Sequence, residues 1–121
     1  MIWNERQETL PRDELAQVQL ERLQATLNRA ERNVAFYRQA LAGKGGAGDE
    51  VKSLADLARL PFTTKEDLRL SYPYGMFAVP LRDIVRIQST SGTTGSPIVV
   101  GYTRNDIRMW ADCVARVLAA G

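Results

Sequence analysis

Two short apolar runs flank a loop of hydroxyl side chains and glycines, and this pattern constrains the fold more than any other part of the sequence. The runs occupy residues 84–87 and 98–100, and residues 89–97 between them are mostly serine, threonine and glycine. Apolar, β-branched runs that end at turn residues predict strands. The connecting loop would present hydroxyls and backbone N–H groups together from an anchored base, an arrangement that suits the phosphates of a nucleotide triphosphate. A plain turn is the alternative interpretation.

Composition indicates a single globular domain rather than a disordered or membrane protein. The chain has 121 residues, of which 45% are hydrophobic and 25% charged. Its net charge of +2 arises from 16 basic and 14 acidic residues that are interspersed, so no basic stripe is available to follow a nucleic-acid backbone. The N-terminus lacks a secretory apolar core, and no run approaches the roughly 20 apolar residues that span a bilayer. We therefore expect a cytoplasmic protein that binds neither nucleic acid nor membranes.

Histidine is absent and cysteine occurs once, which restricts the chemistry of any site. Without histidine, Ser-His and Cys-His nucleophiles and histidine metal sites are excluded. Cys113 has no partner for an internal disulfide, and we expect it to be a small buried side chain on the apolar face of the last helix. Trp110 on the same face is likewise expected in the core. No metal site is predicted.

The first part of the chain, residues 1–50, is predicted to be helical and to end in a glycine-rich loop. One helix should run from Pro11 to about Leu41, since proline is tolerated in a first turn. Apolar residues spaced three and four apart place a single stripe along this helix. Packing within its own domain is the favoured use of the stripe, and a self-associating coiled coil is the alternative. Residues 43–49 are predicted to be the flexible loop of the chain.

The second part, residues 51–121, combines short capped helices with the strand pair. Ser53 and Thr64 can each cap a short helix, and Thr103 with Asp106 forms the same pattern before a final helix. Aromatic residues before the first strand could line a pocket for an aromatic acid, although simple packing is favoured. They are Tyr72, Tyr74 and Phe77.

The loop and several motifs around it resemble a known family. Residues 90–97 resemble the phosphate-loop motif of the adenylate-forming superfamily, which includes acyl-CoA synthetases. The segments 60–69, 72–75 and 99–103, in this order, look like the start of a phenylacetate-CoA ligase. The resemblance implies that the nucleotide is contacted by Thr90, Ser91, Gly92, Thr93, Thr94, Gly95 and Ser96, and that no catalytic residue lies in this segment.

Three positions depart from the pattern of the family. The ligase loop commonly carries a lysine where this chain has Ser96, and the wider superfamily often has one where it has Ile98. The histidine that precedes the loop in the family is replaced by Gln88. Loss of a cation beside a polyphosphate weakens binding by about 1.5–3 kcal/mol, the scale of a hydrogen bond to a charged group.

The resemblance implies an α/β enzyme of which this chain is the N-terminal segment. Such ligases use ATP and Mg²⁺ to adenylate a carboxylic acid, here an aromatic acid in a catabolic role, and then transfer it to coenzyme A. The rest of the nucleotide site, the acid pocket and a mobile catalytic lysine would lie downstream of Gly121. We therefore expect the chain alone to be inactive, and to form a homo-oligomer or to associate with the missing remainder of the enzyme.

A different class of function is compatible with the same sequence. The chain could be a non-catalytic helical interaction module, or a truncated one, in which the Ser/Thr/Gly loop is only a turn.

Overall fold

A helical first part is followed by an antiparallel strand pair and a final helix in the computed structural model, which describes residues 1–46, 48–91 and 95–121. This confirms the predicted mixed class and order of elements. The α-helices are α1 (Glu5–Glu8), α2 (Arg12–Asn33), α3 (Ala35–Leu41), α4 (Lys65–Leu70) and α5 (Arg104–Ala120), and the strands are β1 (Ile84–Ser89) and β2 (Val99–Thr103). Short 3₁₀ helices cover Gly48–Glu50, Leu54–Arg59 and Leu81–Asp83.

The predicted single helix over residues 11–41 is wrong, because it is divided at Val34. This residue has an extended backbone, with φ −122° and ψ 115°, and separates α2 from α3. Its N–H still donates to the Ala30 carbonyl at 2.9 Å, and its carbonyl accepts from the Arg38 N–H at 3.1 Å. The break therefore leaves both backbone groups of Val34 hydrogen-bonded. It turns the Val34 side chain into the interior, where only 1% of the residue is exposed.

The most deeply buried apolar side chains lie in the first part of the chain. They are Val34, Leu41 and Val51. The side-chain amide of Gln24 on α2 donates to the Val51 carbonyl at 2.6 Å, which holds the segment after the glycine-rich loop against the helix. The core of the described residues is therefore small and lies between α2, α3 and residues 48–51.

The glycine-rich segment was predicted to be flexible, but two of its glycines, Gly46 and Gly48, are buried. A Cβ atom added at Gly48 would lie 2.4 Å from the Gln24 carbonyl oxygen and 2.5 Å from the Asn28 side chain. Gly43 and Gly45 use the backbone freedom of glycine, with φ 69° and 62°, whereas Gly48 allows the chain to approach a helix closely. Ala47 lies outside the described residues.

We expect Gly48→Ala to destabilise the chain by about 1–3 kcal/mol, the usual cost of forcing an atom into a packed interior. The melting temperature should fall by roughly 4 °C for each kcal/mol, since the unfolding entropy of a domain of this length is about 0.25 kcal/mol/K. Thermal unfolding followed by circular dichroism measures the change. Gly121→Ala is the matched control, because its Cβ would come no closer than 3.8 Å to the Val117 carbonyl oxygen. Equal melting temperatures for the two variants would contradict the packing at Gly48.

The predicted helix caps are confirmed. Asp67 accepts from the Thr64 hydroxyl and N–H, both at 2.7 Å, and these hydrogen bonds lower the pKa of the Asp67 carboxyl. Asp56 accepts from the Lys52 and Ser53 N–H groups at 2.9 Å, which lowers its pKa in the same way. The helix that Ser53 caps is, however, a 3₁₀ helix rather than an α-helix.

The strand pair leads directly into α5. Ile84 of β1 pairs with Thr103 of β2, and Ser89 pairs with Val99 at the opposite end, with an irregularity in the register between Ile84 and Arg86. Thr103 ends β2 and also caps α5, since its hydroxyl accepts from the Asp106 N–H at 3.2 Å. The last residue of β2 thus fixes the position at which α5 begins.

The amino-terminal segment packs against α5, a contact that the sequence did not reveal. The Trp3 indole N–H donates to the Asp112 carboxylate at 2.8 Å. Arg116 forms ion pairs with Asp112 at 2.7 Å and with Glu8 of α1 at 3.7 Å. The first and last helices are therefore joined by a small network of polar side chains.

Two predictions about α5 are wrong, because Cys113 and Trp110 are both exposed rather than buried. Trp110 stacks on Tyr102 of β2 with ring centroids 5.5 Å apart, yet 43% of it stays accessible. The predictions assumed that another element would cover the apolar face of α5.

None of the described helices is long and apolar enough to cross a bilayer.

Candidate functional site

The hairpin holds the base of the candidate phosphate loop closed. Beyond the last strand pair, the Thr90 N–H donates to the Ile98 carbonyl at 3.0 Å. The Ile98 N–H in turn donates to the Thr90 hydroxyl oxygen, also at 3.0 Å. Because both contacts join the same two residues, the loop begins and ends at a fixed separation. The predicted anchoring of the loop by two strands is therefore present.

Thr90 has a role at the base of the loop that the motif alone did not indicate. Its hydroxyl oxygen accepts from the Ile98 backbone, and a hydroxyl that accepts can still donate its own proton. Thr90 is also solvent-exposed. The same side chain can thus close the loop and donate to a bound anion.

The other described loop residues are accessible to a ligand. Ser91, Gly95 and Ser96 are exposed, and Pro97 is half-buried where the chain returns to β2. Gly95 has φ +127°, in the region that favours glycine, although a Cβ there would meet no atom within 4 Å. Glycine is therefore required at this position by the backbone rather than by crowding. The predicted residues Gly92, Thr93 and Thr94 lie outside the described residues.

Neither nearby arginine replaces the lysine that is missing at Ser96. The Arg86 guanidinium lies over the Trp110 ring, 5.7 Å from its centroid, and so packs toward α5. Arg104 follows the end of β2 that is opposite the loop. At a rise of about 3.3 Å per residue, the two ends of this strand are roughly 13 Å apart. The described residues of the loop can therefore offer an anion hydroxyl groups and backbone N–H groups.

The donor set is suitable for a nucleotide that brings its own Mg²⁺. Magnesium is commonly held by substrate phosphates and water together with only one or two protein ligands. In the described ranges, no group of three or more Cys, Asp or Glu side chains could hold a metal ion. The loop hydroxyls of Ser91 and Ser96 fit a role beside the phosphates and do not form a metal cage.

The aromatic residues before β1 mostly pack against one another and against the hairpin. Tyr74 and Phe77 have ring centroids 5.2 Å apart. The Phe77 ring lies against Gly101 of β2, where an added Cβ would be 2.6 Å from it. Phe77 also lines a cavity of about 350 Å³, together with Met76, Val99 and Gly101 among others. Tyr72 is about half exposed, and an aromatic-acid pocket at these residues stays a prediction.

Solved structures identify the class of fold. The chain superimposes on 2-hydroxyisobutyryl-CoA ligase in complex with 2-HIB-AMP and CoA with a TM-score of 0.86 and 37% identity. The match covers 97% of this chain and 26% of that one. The same ligase in its postadenylation state gives a TM-score of 0.84. The fold of the chain is therefore that of one part of a CoA ligase.

The curated relatives narrow the class to phenylacetate-CoA ligases. The chain is 55% identical to the enzyme of Pseudomonas putida over 113 residues and 50% identical to that of Escherichia coli. It is 47% identical to the Thermus thermophilus enzyme over 120 residues. The chain is therefore similar to phenylacetate-CoA ligases over nearly all of its own length, and it spans only about a quarter of theirs. No family-level sequence profile matches it.

Proposed function

We propose that the chain is the N-terminal part of an ATP-dependent aryl- or acyl-CoA ligase of the phenylacetate-CoA ligase type. The observation that carries this proposal is the identity of 47–55% to phenylacetate-CoA ligases over 93–99% of the chain. The anchored loop at residues 89–97 is consistent with it, because it stands where a phosphate site is predicted. Residues 51–121 would begin the ATP-binding region, and residues 1–50 would precede it as a helical unit.

The proposed task of the loop is to hold the phosphates of ATP. Hydroxyls and backbone N–H groups from Thr90 to Ser96 would donate to phosphate oxygens, and donors to a charged acceptor form strong hydrogen bonds. Thr90 contributes a fixed geometry, since its hydroxyl is already held by Ile98 at 3.0 Å. Mg²⁺ supplies charge neutralisation when it is bound with the nucleotide.

The proposed reaction requires no protein base, in keeping with a chain that has no histidine. A carboxylic acid with a pKa of about 4 is ionised at neutral pH. Its carboxylate would attack the α-phosphate, pyrophosphate would leave, and the thiol of coenzyme A would then displace AMP from the acyl group. The protein contributes mainly by positioning the reactants and stabilising charge. The proposed substrate is an aromatic carboxylic acid. The proposed role of the enzyme is catabolic, and its proposed location is the cytoplasm.

A hybrid enzyme provides the test of this function. The chain would replace the matching quarter of the Pseudomonas putida relative, and acyl-CoA formation from phenylacetate, ATP and coenzyme A would be measured. We expect the hybrid to be active. An inactive hybrid that nevertheless unfolds cooperatively would favour the alternative, a helical interaction module whose loop is only a turn.

In the same hybrid, Thr93→Ala and Thr94→Ala should each reduce kcat/KM for ATP by about 10-fold or more. This is the expected loss for one hydrogen bond to a charged group, about 1.5–3 kcal/mol. Thr26→Ala is the matched control, because the Thr26 hydroxyl donates only within its own helix, to the Arg22 carbonyl at 2.8 Å. Kinetics that stay unchanged in both loop variants would exclude a phosphate role for these hydroxyls.

A further inference from the structure

Two aromatic rings contact the β1–β2 hairpin from its two faces. On one face, the Phe77 ring lies against Gly101 of β2, where an added Cβ would come within 2.6 Å of the ring. On the other face, the Trp110 ring of α5 stacks on Tyr102, with the ring centroids 5.5 Å apart and the planes inclined by 28°. Successive residues of a strand face opposite sides of the sheet. Because Gly101 and Tyr102 are neighbours, the two rings hold the same part of the hairpin between them.

A one-residue bulge in β1 fits the hairpin to both rings. Ile84 and Arg86 pair with two adjacent residues of β2, so two steps along β1 correspond to one step along β2. Residues two apart share a face in a regular strand, but the extra residue of a bulge places them on opposite faces. The Cδ1 atom of Ile84 would accordingly lie 3.1 Å from a Cβ at Gly101. The Arg86 guanidinium lies on the other face, 5.7 Å from the centroid of the Trp110 ring.

The direction of the hairpin determines where the loop at its end is placed. A two-stranded hairpin is only marginally stable by itself, so its direction depends on what packs against it. Ile98, at the closed base of the loop, is three residues from Gly101, which corresponds to roughly 10 Å along a strand. At that distance a tilt of about 10° moves the loop by about 2 Å, and a misplacement of about 1 Å can reduce a rate by about 100-fold.

We propose that Phe77 and Trp110 are positioning residues for the phosphate loop, and we call the two rings the aromatic clamp. Neither ring contacts the nucleotide in this proposal. The aromatic clamp fixes the direction of the hairpin, and with it the position of the hydroxyl and N–H donors from Thr90 to Ser96. The inference rests on the proposed function for the identity of the ligand, and on the two ring contacts for the location of the clamp.

Amide hydrogen exchange in the 121-residue chain tests whether the aromatic clamp orders the base of the loop. The reporter is the Thr90 N–H, which donates to the Ile98 carbonyl at 3.0 Å, and the reference is the Val34 N–H, which donates to the Ala30 carbonyl at 2.9 Å. We expect Phe77→Leu to accelerate exchange at Thr90 by about 10-fold and to change exchange at Val34 by less than about 2-fold. Equal acceleration of both amides, or no acceleration at Thr90, would overturn the proposal.

A pair of substitutions tests the contact between Phe77 and Gly101 in the active hybrid. Phe77→Leu removes the ring and Gly101→Ala forces a Cβ atom against it, so each should raise the KM for ATP by about 10-fold. The double variant should return the KM to within about 3-fold of the parent value, since leucine leaves room for the added methyl group. If Phe77→Leu fails to fold, Gly101→Ala still perturbs the contact with the ring in place.

The second ring is tested by a conservative and a non-conservative substitution. Trp110→Leu should raise the KM for ATP by about 10-fold, whereas Trp110→Phe keeps an aromatic face and should stay within about 3-fold of the parent. Phe36→Leu is the matched control, because this half-buried ring also has one tyrosine neighbour, Tyr37, with centroids 5.1 Å apart. A loss of folded protein lowers kcat but leaves the KM for ATP unchanged, so the KM separates positioning from stability.

The proposed function and the aromatic clamp can fail separately. An active hybrid whose KM for ATP is the same in the clamp variants and in Phe36→Leu would keep the proposed function and refute the clamp. A double variant that does not recover would also refute it. If the hybrid is folded but inactive, the proposed function fails, and exchange at Thr90 decides on the clamp: acceleration confined to Thr90 supports it, and its absence overturns it.

Discussion

Purified by itself, the 121-residue chain should form no acyl-CoA above a no-protein control when it is supplied with phenylacetate, ATP, Mg²⁺ and coenzyme A. Catalysis by positioning and charge stabilisation requires the groups around the reacting atoms to be present together. The chain offers a loop with hydroxyl donors and spans about a quarter of the length of the related ligases. Contacts to phosphates alone should give at best millimolar binding, about 4 kcal/mol, which cannot organise two successive reactions.

Two assays measure this directly. Exchange of pyrophosphate into ATP reports the first step, and acyl-CoA formation reports both steps. The hybrid with the Pseudomonas putida relative is the positive control, because it contains the same loop in a complete ligase. Turnover by the isolated chain would mean that it carries catalytic groups beyond those that we assign to it.

Local sequence patterns predicted the elements that depend on neighbouring residues. Thr103 and Asp106 marked the start of α5, and the structure has both hydrogen bonds of this cap. The apolar runs around the loop predicted β1 and β2 to within three residues at each end. These features are decided by side-chain chemistry over a few positions, so a single sequence contains the information for them.

Features that depend on distant contacts were missed or misjudged. The break at Val34 has no proline or glycine to mark it, and it is stabilised by burying that side chain. The burial predicted for Trp110 and Cys113 required a covering surface that the described residues do not provide. The bond between Trp3 and Asp112 joins residues 109 positions apart, which no local pattern can indicate.

The candidate site was partly accessible to prediction for the same reason. Its position between two strands follows from local patterning, and the hydroxyls and glycines are visible in the sequence. The contact between Thr90 and Ile98 depends on how the two strands meet, so it became visible only in the structure. The location of Arg86 over Trp110, and hence its direction away from the loop, depends on the packing of α5.

Introducing a lysine by Ser96→Lys in the hybrid should lower the KM for ATP by about 10-fold or more. Ser96 is exposed and follows Gly95 on the side of the loop that returns to β2. Neither Arg86 nor Arg104 is placed to act as the loop cation, so neither supplies the charge that the family resemblance implies at this position. A lysine ammonium is a point charge on a flexible stem, which can adjust to a polyphosphate without a change in the backbone. An added charge-assisted hydrogen bond accounts for about 1.5–3 kcal/mol.

The change in the KM for ATP caused by Ser96→Lys should depend on salt. This dependence distinguishes an effect of the lysine charge from an effect of side-chain shape. Ser96→Met adds a side chain of similar length without charge, so it should leave the KM for ATP near that of the parent hybrid. At about 0.01 M ionic strength the Debye length is about 30 Å, and at 1 M it is about 3 Å, so the advantage of lysine should shrink as salt is added. A gain that is equal for lysine and methionine would show that the loop responds to packing. No gain for lysine at low salt would mean that residue 96 does not face the phosphates.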